Sequence, residues 1–297
     1  MINPPFLRIG DCVRIVSPAG AINPDIIDEA EACLRSWGLN VIRGKFVSSI
    51  LGRFSGSISQ RLFDFQEALD DPECKAIFCS RGGYGSVHLL SKIDFACFHA
   101  NPKWLIGYSD ITLLHACLQI EGFTSIHGGM AKILVREAKE PAILLHDLLW
   151  GKMPEYCIKP HLLNRLGKTV GPLHGGNLSI LYSLRGTPYD NIPKGSVLFI
   201  EDVGEKPYAI DRMMYNLKLG GILKNISGLI VGQFSDYEED PDFGKSVYEI
   251  IYDAVSEYSY PVCFDFPVGH VDLNLPLIMG HSVYFEVNQE GATLSYI

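Results

Sequence analysis

The sequence has little positive charge and no cysteine pairs of a recognisable kind. Its 297 residues include 25 Lys and Arg against 34 Asp and Glu, a formal net charge of −9. Because nucleic-acid binding normally requires a basic surface, we expect no nucleic-acid partner. The eight cysteines are scattered without a C-x-x-C pair, and several, such as Cys79, lie in apolar runs. They therefore predict buried reduced thiols, and neither a disulfide framework nor a zinc site.

Long apolar runs are also missing. No uncharged apolar stretch in the sequence approaches the length that a transmembrane helix needs. The first residues, Met1 to Asp11, do not combine a basic segment with an apolar one, as a secretory signal would. We therefore expect a cytoplasmic protein that does not associate with membranes.

What the sequence does contain is a regular alternation of strand and helix patterns. Hydrophobic residues make up 47% of the chain, enough for sizeable cores. Strands are predicted at 12–17, 39–42, 76–79 and 104–106. Helical periodicity lies between them, and Ser57 is placed to cap the helix that begins at Ile58. Such alternation predicts βαβ units and a doubly wound, mostly parallel sheet.

The pattern loosens between Leu149 and Arg165, where Gly151, Pro154 and Pro160 interrupt it. We place a domain boundary there, with an N-terminal domain at 1–152 and a C-terminal domain at 166–297. The second domain reads as smaller and mixed α/β, with a Gly-rich turn at 171–176, a strand at 196–200 and a closing hairpin at 282–296. The predicted fold class is therefore α/β, with two domains.

Ser109 occupies the junction between a short apolar strand and a helix. The strand ends at Ile106, Gly107 marks a sharp turn, and Ile111, Leu114 and Leu118 recur at helical spacing. A serine on such a turn projects its hydroxyl, as in a nucleophile elbow, although Ile111 stands where G-x-S-x-G has its second glycine. The alternative is that Ser109 or Asp110 simply caps the helix.

A glycine-rich turn, Ser80-Arg-Gly-Gly-Tyr-Gly85, follows the preceding strand. Successive glycines at a strand end allow backbone N–H groups to converge on an anion, either a phosphate or a developing oxyanion. The alternative is a tight turn that needs positive φ. In a doubly wound sheet this turn and Ser109 share one edge, which favours a common site.

The second half offers an acid and a histidine. The strand Val197-Leu-Phe-Ile-Glu-Asp202 ends in two carboxylates, of which one could orient a histidine, although a solvated strand end is the default interpretation. His270 lies in a turn-rich stretch beside Gly269, where a histidine is more often a surface or loop residue than a catalytic base. The histidines of His127-Gly-Gly129 and His174-Gly-Gly176 are further candidates in glycine turns. No H-E-x-x-H spacing supports a metal site.

In order and spacing, these pieces resemble the LD-carboxypeptidases. These serine peptidases include the murein tetrapeptide carboxypeptidases and the microcin C self-immunity proteins. The resemblance covers nearly the whole chain and rests on a series of short motifs. They are Val13-Arg-Ile-Val-Ser-Pro-Ala-Gly20, Ser80 to Gly85, Gly107-Tyr-Ser-Asp-Ile-Thr112, Gly171-Pro-Leu-His-Gly-Gly-Asn-Leu178, Ile200-Glu-Asp-Val-Gly-Glu205, Ile210-Asp-Arg212 and Gly269-His270. Two positions depart from the family pattern: Gly129, where the family often has proline, and His174, where a small apolar residue is common.

The resemblance implies a function and a set of roles. Ser109 would be the nucleophile, His270 the general base and Glu201 the acid that orients it. The backbone N–H groups of Gly83 and Asp110 would form the oxyanion hole. No metal or organic cofactor would be needed, and the site would lie in the interdomain cleft.

The implied substrate is cytoplasmic murein tetrapeptide, which would lose its terminal D-alanine during peptidoglycan recycling. Arg81, beside the glycine turn, is our candidate for the substrate's carboxylate, although a surface arginine would fit equally well. The family also suggests a homodimer.

Two other functions remain open at this point. One is a microcin-immunity type of serine amidase that uses the same triad on a peptidyl-nucleotide, which an aromatic-rich pocket loop would favour. The other is a non-catalytic, two-lobed ligand-binding protein. The presence of all three triad positions argues against it, as does the lack of an export signal.

Overall fold

The structure, a computed structural model, describes residues 1–135 and 140–297. Its strands are β1 (Cys12–Val16), β2 (Asn40–Arg43), β3 (Cys74–Cys79), β4 (Trp104–Gly107), β5 (Ser125–His127), β6 (Glu155–Ile158), β7 (Gly167–Asn177), β8 (Val197–Val203), β9 (Gly228–Ser235), β10 (Val262–Cys263), β11 (Leu277–Met279), β12 (Ser282–Asn288) and β13 (Gly291–Tyr296). Its helices are α1 (Pro24–Ser36), α2 (Ile58–Asp70), α3 (Ala96–Ala100), α4 (Thr112–Ile120), α5 (Ala131–Leu134), α6 (Glu140–Leu149), α7 (Leu178–Leu184), α8 (Pro207–Leu219), α9 (Ile222–Asn225) and α10 (Val247–Ala254).

The chain forms two compact units. The first comprises Met1–Lys152 and Leu275–Ile278, and the second Met153–Asn274 and Met279–Ile297. The predicted boundaries left residues 153–165 outside both domains. The structure places these residues in the second unit, because β6 pairs there with β13. The short return of 275–278 to the first unit has no counterpart in the sequence pattern.

The first unit is built on a six-stranded sheet in the order β11-β5-β4-β3-β1-β2. Strands β1 to β5 pair in parallel, as the alternation of strands and helices predicts. The chain adds β2 on one side of β1 and β3 on the other, so the strand order reverses between β1 and β3. Doubly wound sheets bind ligands at such a switch point. Strands β1, β3 and β4 therefore deliver the loops after Val16, Cys79 and Gly107 to one edge.

Local sequence explains where α2, the helix that packs against β1 and β3, begins. Ser57 accepts a hydrogen bond from the Gln60 N–H, and the Gln60 side chain accepts one from the Ser57 N–H. This reciprocal capping box starts α2 where the sequence predicts it. Phe65, Ala68 and Leu69 on this helix are buried.

The second unit contains a seven-stranded sheet in the order β10-β9-β8-β7-β12-β13-β6. Strands β7 to β10 pair in parallel, whereas β12 is antiparallel to β7 and β13, and β13 to β6. Buried side chains of α8 and α10, including Met214 and Ile251, belong to one apolar cluster with Leu198 and Leu229 of this sheet. The predicted mixed α/β fold and the hairpin at 282–296 are confirmed.

The expected Gly-rich turn at 171–176 is wrong, because these residues lie inside β7. Glycine is needed in this segment because a side chain would collide with neighbouring backbone, and not because the chain reverses. A β-carbon on Gly171 would lie 2.2 Å from the carbonyl oxygen of Gly195, and one on Gly175 would lie 1.9 Å from that of Phe199. Close approach between neighbouring backbones thus produces a glycine pattern that resembles a turn.

Within the described residues, no helix combines the length and the apolar character needed to cross a bilayer.

Candidate active site

Ser109 lies on a strained turn between β4 and α4. The strand ends at Gly107, a short 3-10 turn covers Ser109–Ile111, and α4 begins at Thr112. Ser109 has φ +65°, a left-handed conformation that non-glycine residues rarely adopt. Such backbone strain costs about 1–3 kcal/mol and concentrates at functional sites. This geometry is that of a nucleophile elbow.

The departure from G-x-S-x-G has a packing explanation. A β-carbon on Gly107 would lie 2.8 Å from the Cγ2 atom of Ile111. Gly107 therefore makes room for the buried isoleucine that takes the place of the second glycine.

The capping alternative for this segment is wrong. In the described part of the chain, no N-cap side chain bonds to the start of either the 3-10 turn or α4. The Asp110 carboxylate instead accepts a hydrogen bond at 2.8 Å from the backbone N–H of Ser86, on the glycine-rich loop. The residue after the serine therefore connects two loops and does not start the helix.

The glycine-rich loop lies directly against Ser109, as the shared sheet edge predicts. A β-carbon on Gly82 would lie 2.8 Å from the Cβ and 3.0 Å from the Oγ of Ser109. The Gly82 carbonyl accepts a hydrogen bond from the Gly20 N–H at 3.1 Å. Gly83 and Gly85 have φ +103° and +131°, so the turn also needs glycine for its backbone. The tight-turn interpretation of this motif is therefore confirmed, and the anion-binding interpretation stays a prediction.

Arg81 is half-buried and not a surface arginine. Its Nη1 donates to the carbonyl of Ala21 at 3.0 Å. Arg81 lines a cavity of about 430 Å³ together with Arg53, Tyr84 and the backbone of Gly20, Ala21, Gly52 and Gly83. Among the described residues, two cationic side chains and no carboxylate line this cavity, a composition that suits an anionic ligand.

In the second unit, Glu201 and His270 form a hydrogen-bonded pair. The Oε2 atom of Glu201 lies 2.8 Å from the Nδ1 atom of His270. Glu201 is fully buried on β8. Burial disfavours the protonated imidazole, but the hydrogen bond and the charge of Glu201 outweigh this effect and raise the pKa of His270 above its ordinary value. A buried carboxylate that fixes one ring nitrogen is the arrangement that orients a general base.

The turn at Gly269 brings His270 to Glu201. Gly269 has φ +125°, and a β-carbon there would lie 2.9 Å from the Oε2 atom of Glu201. Its N–H donates to the side chain of Asn274 at 2.9 Å. Glycine is required both for the backbone conformation and for the close approach to the carboxylate.

Asp202 points elsewhere, as strand alternation requires. Its carboxylate accepts hydrogen bonds from the Asn177 side chain at 2.9 Å and from the Ser179 N–H at 2.8 Å. Burial and the neighbouring Glu201 raise the pKa of Asp202 to about 6. Of the two carboxylates, Glu201 is therefore the one that contacts His270.

The remaining histidines differ in their surroundings. His174 is not in a turn but buried within β7, where burial lowers its pKa to about 4. His127 ends β5. His115, a buried residue of α4, lies beneath the elbow. Its Nε2 is 2.9 Å from the Gly107 carbonyl and its Nδ1 is 2.8 Å from the Ser125 hydroxyl.

In residues 1–135 and 140–297, no group of three or more His, Cys, Asp and Glu side chains is arranged to hold a metal ion.

Models of a known family match both halves of the chain. Residues 13–128 match the LD-carboxypeptidase N-terminal domain, and residues 170–285 match the LD-carboxypeptidase C-terminal domain. The first match contains the Ser109 elbow and the glycine-rich loop. The second contains Glu201 and His270.

Bacterial relatives align over nearly the full chain. A Bacillus subtilis protein described as a "probable murein peptide carboxypeptidase" is 32% identical, with 98% of this chain and 93% of the relative covered. The murein tetrapeptide carboxypeptidase of Pseudomonas aeruginosa is 30% identical, with 93% of this chain and 94% of the relative covered.

Solved structures share the fold. The muramoyltetrapeptide carboxypeptidase from Oxalobacter formigenes has a TM-score of 0.89 and 27% identity, and the match covers 96% of this chain and 98% of that one. The microcin C7 self immunity protein MccF has a TM-score of 0.88 at 21% identity, covering 100% and 99% of the two chains. The second likeness concerns the fold alone.

Proposed function

Since this chain belongs to the LD-carboxypeptidase family of serine peptidases, we propose that it releases the terminal D-alanine from murein tetrapeptide. The chain is a serine-type carboxypeptidase, which replaces the alternative of a non-catalytic binding protein. The substrate, the reaction site and the role of each residue are the proposal. The observation that carries it is the 2.8 Å hydrogen bond between the buried Glu201 and His270, the orienting half of a serine-peptidase triad.

In the proposed reaction, Ser109 is the nucleophile and His270 the general base. His270 accepts the hydroxyl proton through Nε2 as the Ser109 oxygen attacks the carbonyl carbon of the scissile peptide bond. Glu201 stabilises the resulting imidazolium through the hydrogen bond to Nδ1. The strained backbone at Ser109 supports this role, because it holds the hydroxyl clear of the helix that follows.

The oxyanion that forms next is bound by backbone N–H groups of Gly83 and Asp110 in this proposal. The position of the glycine-rich loop against Ser109 supports the assignment. His270 then donates its proton to the amine of the departing D-alanine, and the acyl group stays on Ser109. Water, activated by His270, hydrolyses this ester and restores the enzyme.

Arg81 is proposed to bind the α-carboxylate of the terminal D-alanine. Its place in the cationic cavity beside Gly83 supports this assignment. A fixed carboxylate allows the terminal methyl group only one orientation. An L-residue would therefore shift the scissile carbonyl relative to Ser109, and an error of about 1 Å can cost on the order of 10²-fold in rate.

Three peptides test the substrate assignment. The enzyme should release D-alanine efficiently from murein tetrapeptide. It should turn over poorly both the diastereomer that ends in L-alanine and the tetrapeptide with a C-terminal amide. Amino-acid release is followed by mass spectrometry. Equal rates on all three peptides would overturn the assignment and favour a broader serine amidase, the activity of the microcin-immunity type.

A cytoplasmic location, a role in peptidoglycan recycling and a homodimer complete the proposal; the eight free cysteines support the location, and the family resemblance supports the role and the homodimer. Cell fractionation tests the first, and accumulation of tetrapeptide in a deletion strain tests the second. Light scattering of the purified protein tests the third.

A further inference from the structure

Two buried charged side chains hold the peptide bond between Gly85 and Ser86 from both sides. The Nη1 atom of Arg61 donates to the Gly85 carbonyl at 2.7 Å, and the Oδ2 atom of Asp110 accepts from the Ser86 N–H at 2.8 Å. Arg61 is only 2% exposed and Asp110 only 1%. Because the carbonyl and the N–H belong to one peptide unit, both of its polar groups are fixed. We call Arg61, Asp110 and this peptide unit the loop clamp.

The other end of the same loop is also anchored. The Ser80 N–H donates to the Val16 carbonyl at 2.8 Å, and the Gly82 carbonyl accepts from the Gly20 N–H at 3.1 Å. Between these contacts and the loop clamp lie only Gly83 and Tyr84. The backbone N–H of Gly83, a proposed oxyanion donor, is therefore held between two fixed points.

Arg61 also connects the loop clamp to the loop that follows β1. Its Nη1 atom also donates to the Pro18 carbonyl at 2.7 Å, and its guanidinium lies over the ring of Phe54 at 5.1 Å from the centroid. The loops after β1 and β3 are therefore held by a single side chain. A lysine could not reproduce this planar, multiply donating contact.

Keeping these two charges buried is costly. Burial lowers the pKa of Arg61, and the charge of Asp110 counteracts this effect. Burial likewise raises the pKa of Asp110, against the opposing effects of the Ser86 N–H and Arg61. Replacing buried charges with apolar side chains is often neutral or stabilising, so stability alone does not account for them. Holding the backbone of the glycine-rich loop in a fixed position accounts for these two charges.

We propose that Asp110 is a positioning residue that sets the spacing of the oxyanion hole. Its own N–H is one oxyanion donor, and its carboxylate holds the loop that carries the other, Gly83. Donors from two separate loops thus keep one geometry, which is what stabilises a transition state more than a substrate. The inference rests on the proposed function.

The experiment compares three variants with the wild-type protein. Asp110→Ala removes the acceptor for the Ser86 N–H, and Asp110→Asn keeps an oxygen there. Asp64→Ala is a matched control, because Asp64 is also a buried aspartate (2% exposed) whose carboxylate accepts a backbone N–H, from Phe46 at 2.7 Å. We measure kcat and KM for D-alanine release, the melting temperature and the affinity for a peptidyl boronic acid that mimics the tetrahedral intermediate.

We expect Asp110→Ala to lower kcat about 10²-fold while KM changes less than about threefold, the pattern of a lost transition-state contact. Affinity for the boronic acid should fall in parallel with kcat. Asp110→Asn should recover at least tenfold of the loss in kcat. Asp64→Ala should lower the melting temperature but leave kcat within about threefold of wild type. If Asp110→Ala does not fold, Arg61→Lys should show the same pattern with about a tenfold loss in kcat.

The positioning role of Asp110 would be overturned, with the proposed function intact, if Asp110→Ala behaved like Asp64→Ala while the wild type released D-alanine. A loss of kcat without weaker boronic acid binding would overturn it as well. A wild type that releases no D-alanine would instead overturn the substrate assignment. In that case the rate of fluorophosphonate labelling tests the clamp, because labelling needs the serine and the oxyanion hole but no peptide. Equal labelling rates of wild type and Asp110→Ala would then reject it.

Discussion

Gly82 lies so close to Ser109 that a β-carbon at residue 82 would be 2.8 Å from the Cβ and 3.0 Å from the Oγ of the serine. Real β-carbons do not approach other carbons this closely. Any side chain at residue 82 would therefore displace either the glycine-rich loop or the serine. This relationship joins the two motifs of the first unit into a single structure.

Gly82→Ala should consequently lower kcat by about 10²-fold, because the displacement of Ser109 or of the Gly83 N–H is on the order of 1 Å. Gly10→Ala is the control, since Gly10 has positive φ but, apart from its chain neighbours, no described residue within 4 Å of an added β-carbon. It should cost only stability. Kinetics of D-alanine release and melting curves of both variants check this. A fully active Gly82→Ala enzyme would disprove the importance of the close approach.

Ser109→Ala should fold normally and lose activity by about 10³- to 10⁶-fold, as expected when a nucleophile is removed from a catalytic unit. The double variant of Ser109→Ala with His270→Ala should lose little more than either single variant, because the two residues would serve one step. Single-turnover rates provide the comparison. Losses that multiply would indicate that Ser109 and His270 act independently.

Glu201→Gln should abolish most activity, whereas Asp202→Asn should have a smaller effect. The reason is geometric, since Glu201 contacts His270 and Asp202 bonds to Asn177 and Ser179. Asp202→Asn also serves as the matched control, because it changes an adjacent buried carboxylate by the same chemistry. Steady-state kinetics of the two variants decide the ranking. The reverse order would reassign the orienting acid.

The pH dependence of kcat/KM should have an acidic limb set by His270. A general base must be neutral to accept a proton, so activity falls as the pH drops through the pKa of His270. Because the contact with Glu201 raises this pKa, the limb should lie above the ordinary histidine value of about 6.5. In Glu201→Gln the residual activity should show a limb at lower pH, since burial then acts without the compensating charge. An unchanged limb in that variant would contradict the role of Glu201.

Arg81→Gln should raise KM for the tetrapeptide at least tenfold while leaving hydrolysis of the C-terminally amidated peptide nearly unchanged. The amide offers no charge for the guanidinium to bind, so loss of the guanidinium weakens binding only of the peptide with a free carboxylate. Arg8→Gln, on the surface of the same unit, is the control. An equal effect of Arg81→Gln on both peptides would assign Arg81 a structural role through its bond to Ala21.

Much of this protein could be predicted from local patterns. The alternation of apolar strands with helical periodicity led to the parallel sheet, and the Gly-x-Ser sequence after a buried strand led to the turn at Ser109. Alternation along β8 predicted that only one of Glu201 and Asp202 could reach His270, because neighbouring strand residues face opposite sides, and the family resemblance indicated Glu201. These features depend on a few consecutive residues, so the sequence contains all the information they need.

Tertiary structure alone decided the rest. Gly171 and Gly175 resemble turn residues, yet their role is to admit the backbones of Gly195 and Phe199 beside β7. Asp110 resembles a helix cap, yet its carboxylate bonds to Ser86, 24 residues away in sequence. The strained φ of Ser109 and the position of His115 beneath it depend in the same way on packing between distant segments. A sequence pattern records which backbone conformations and faces a residue favours, whereas the neighbour that meets it there is determined only when the chain has folded.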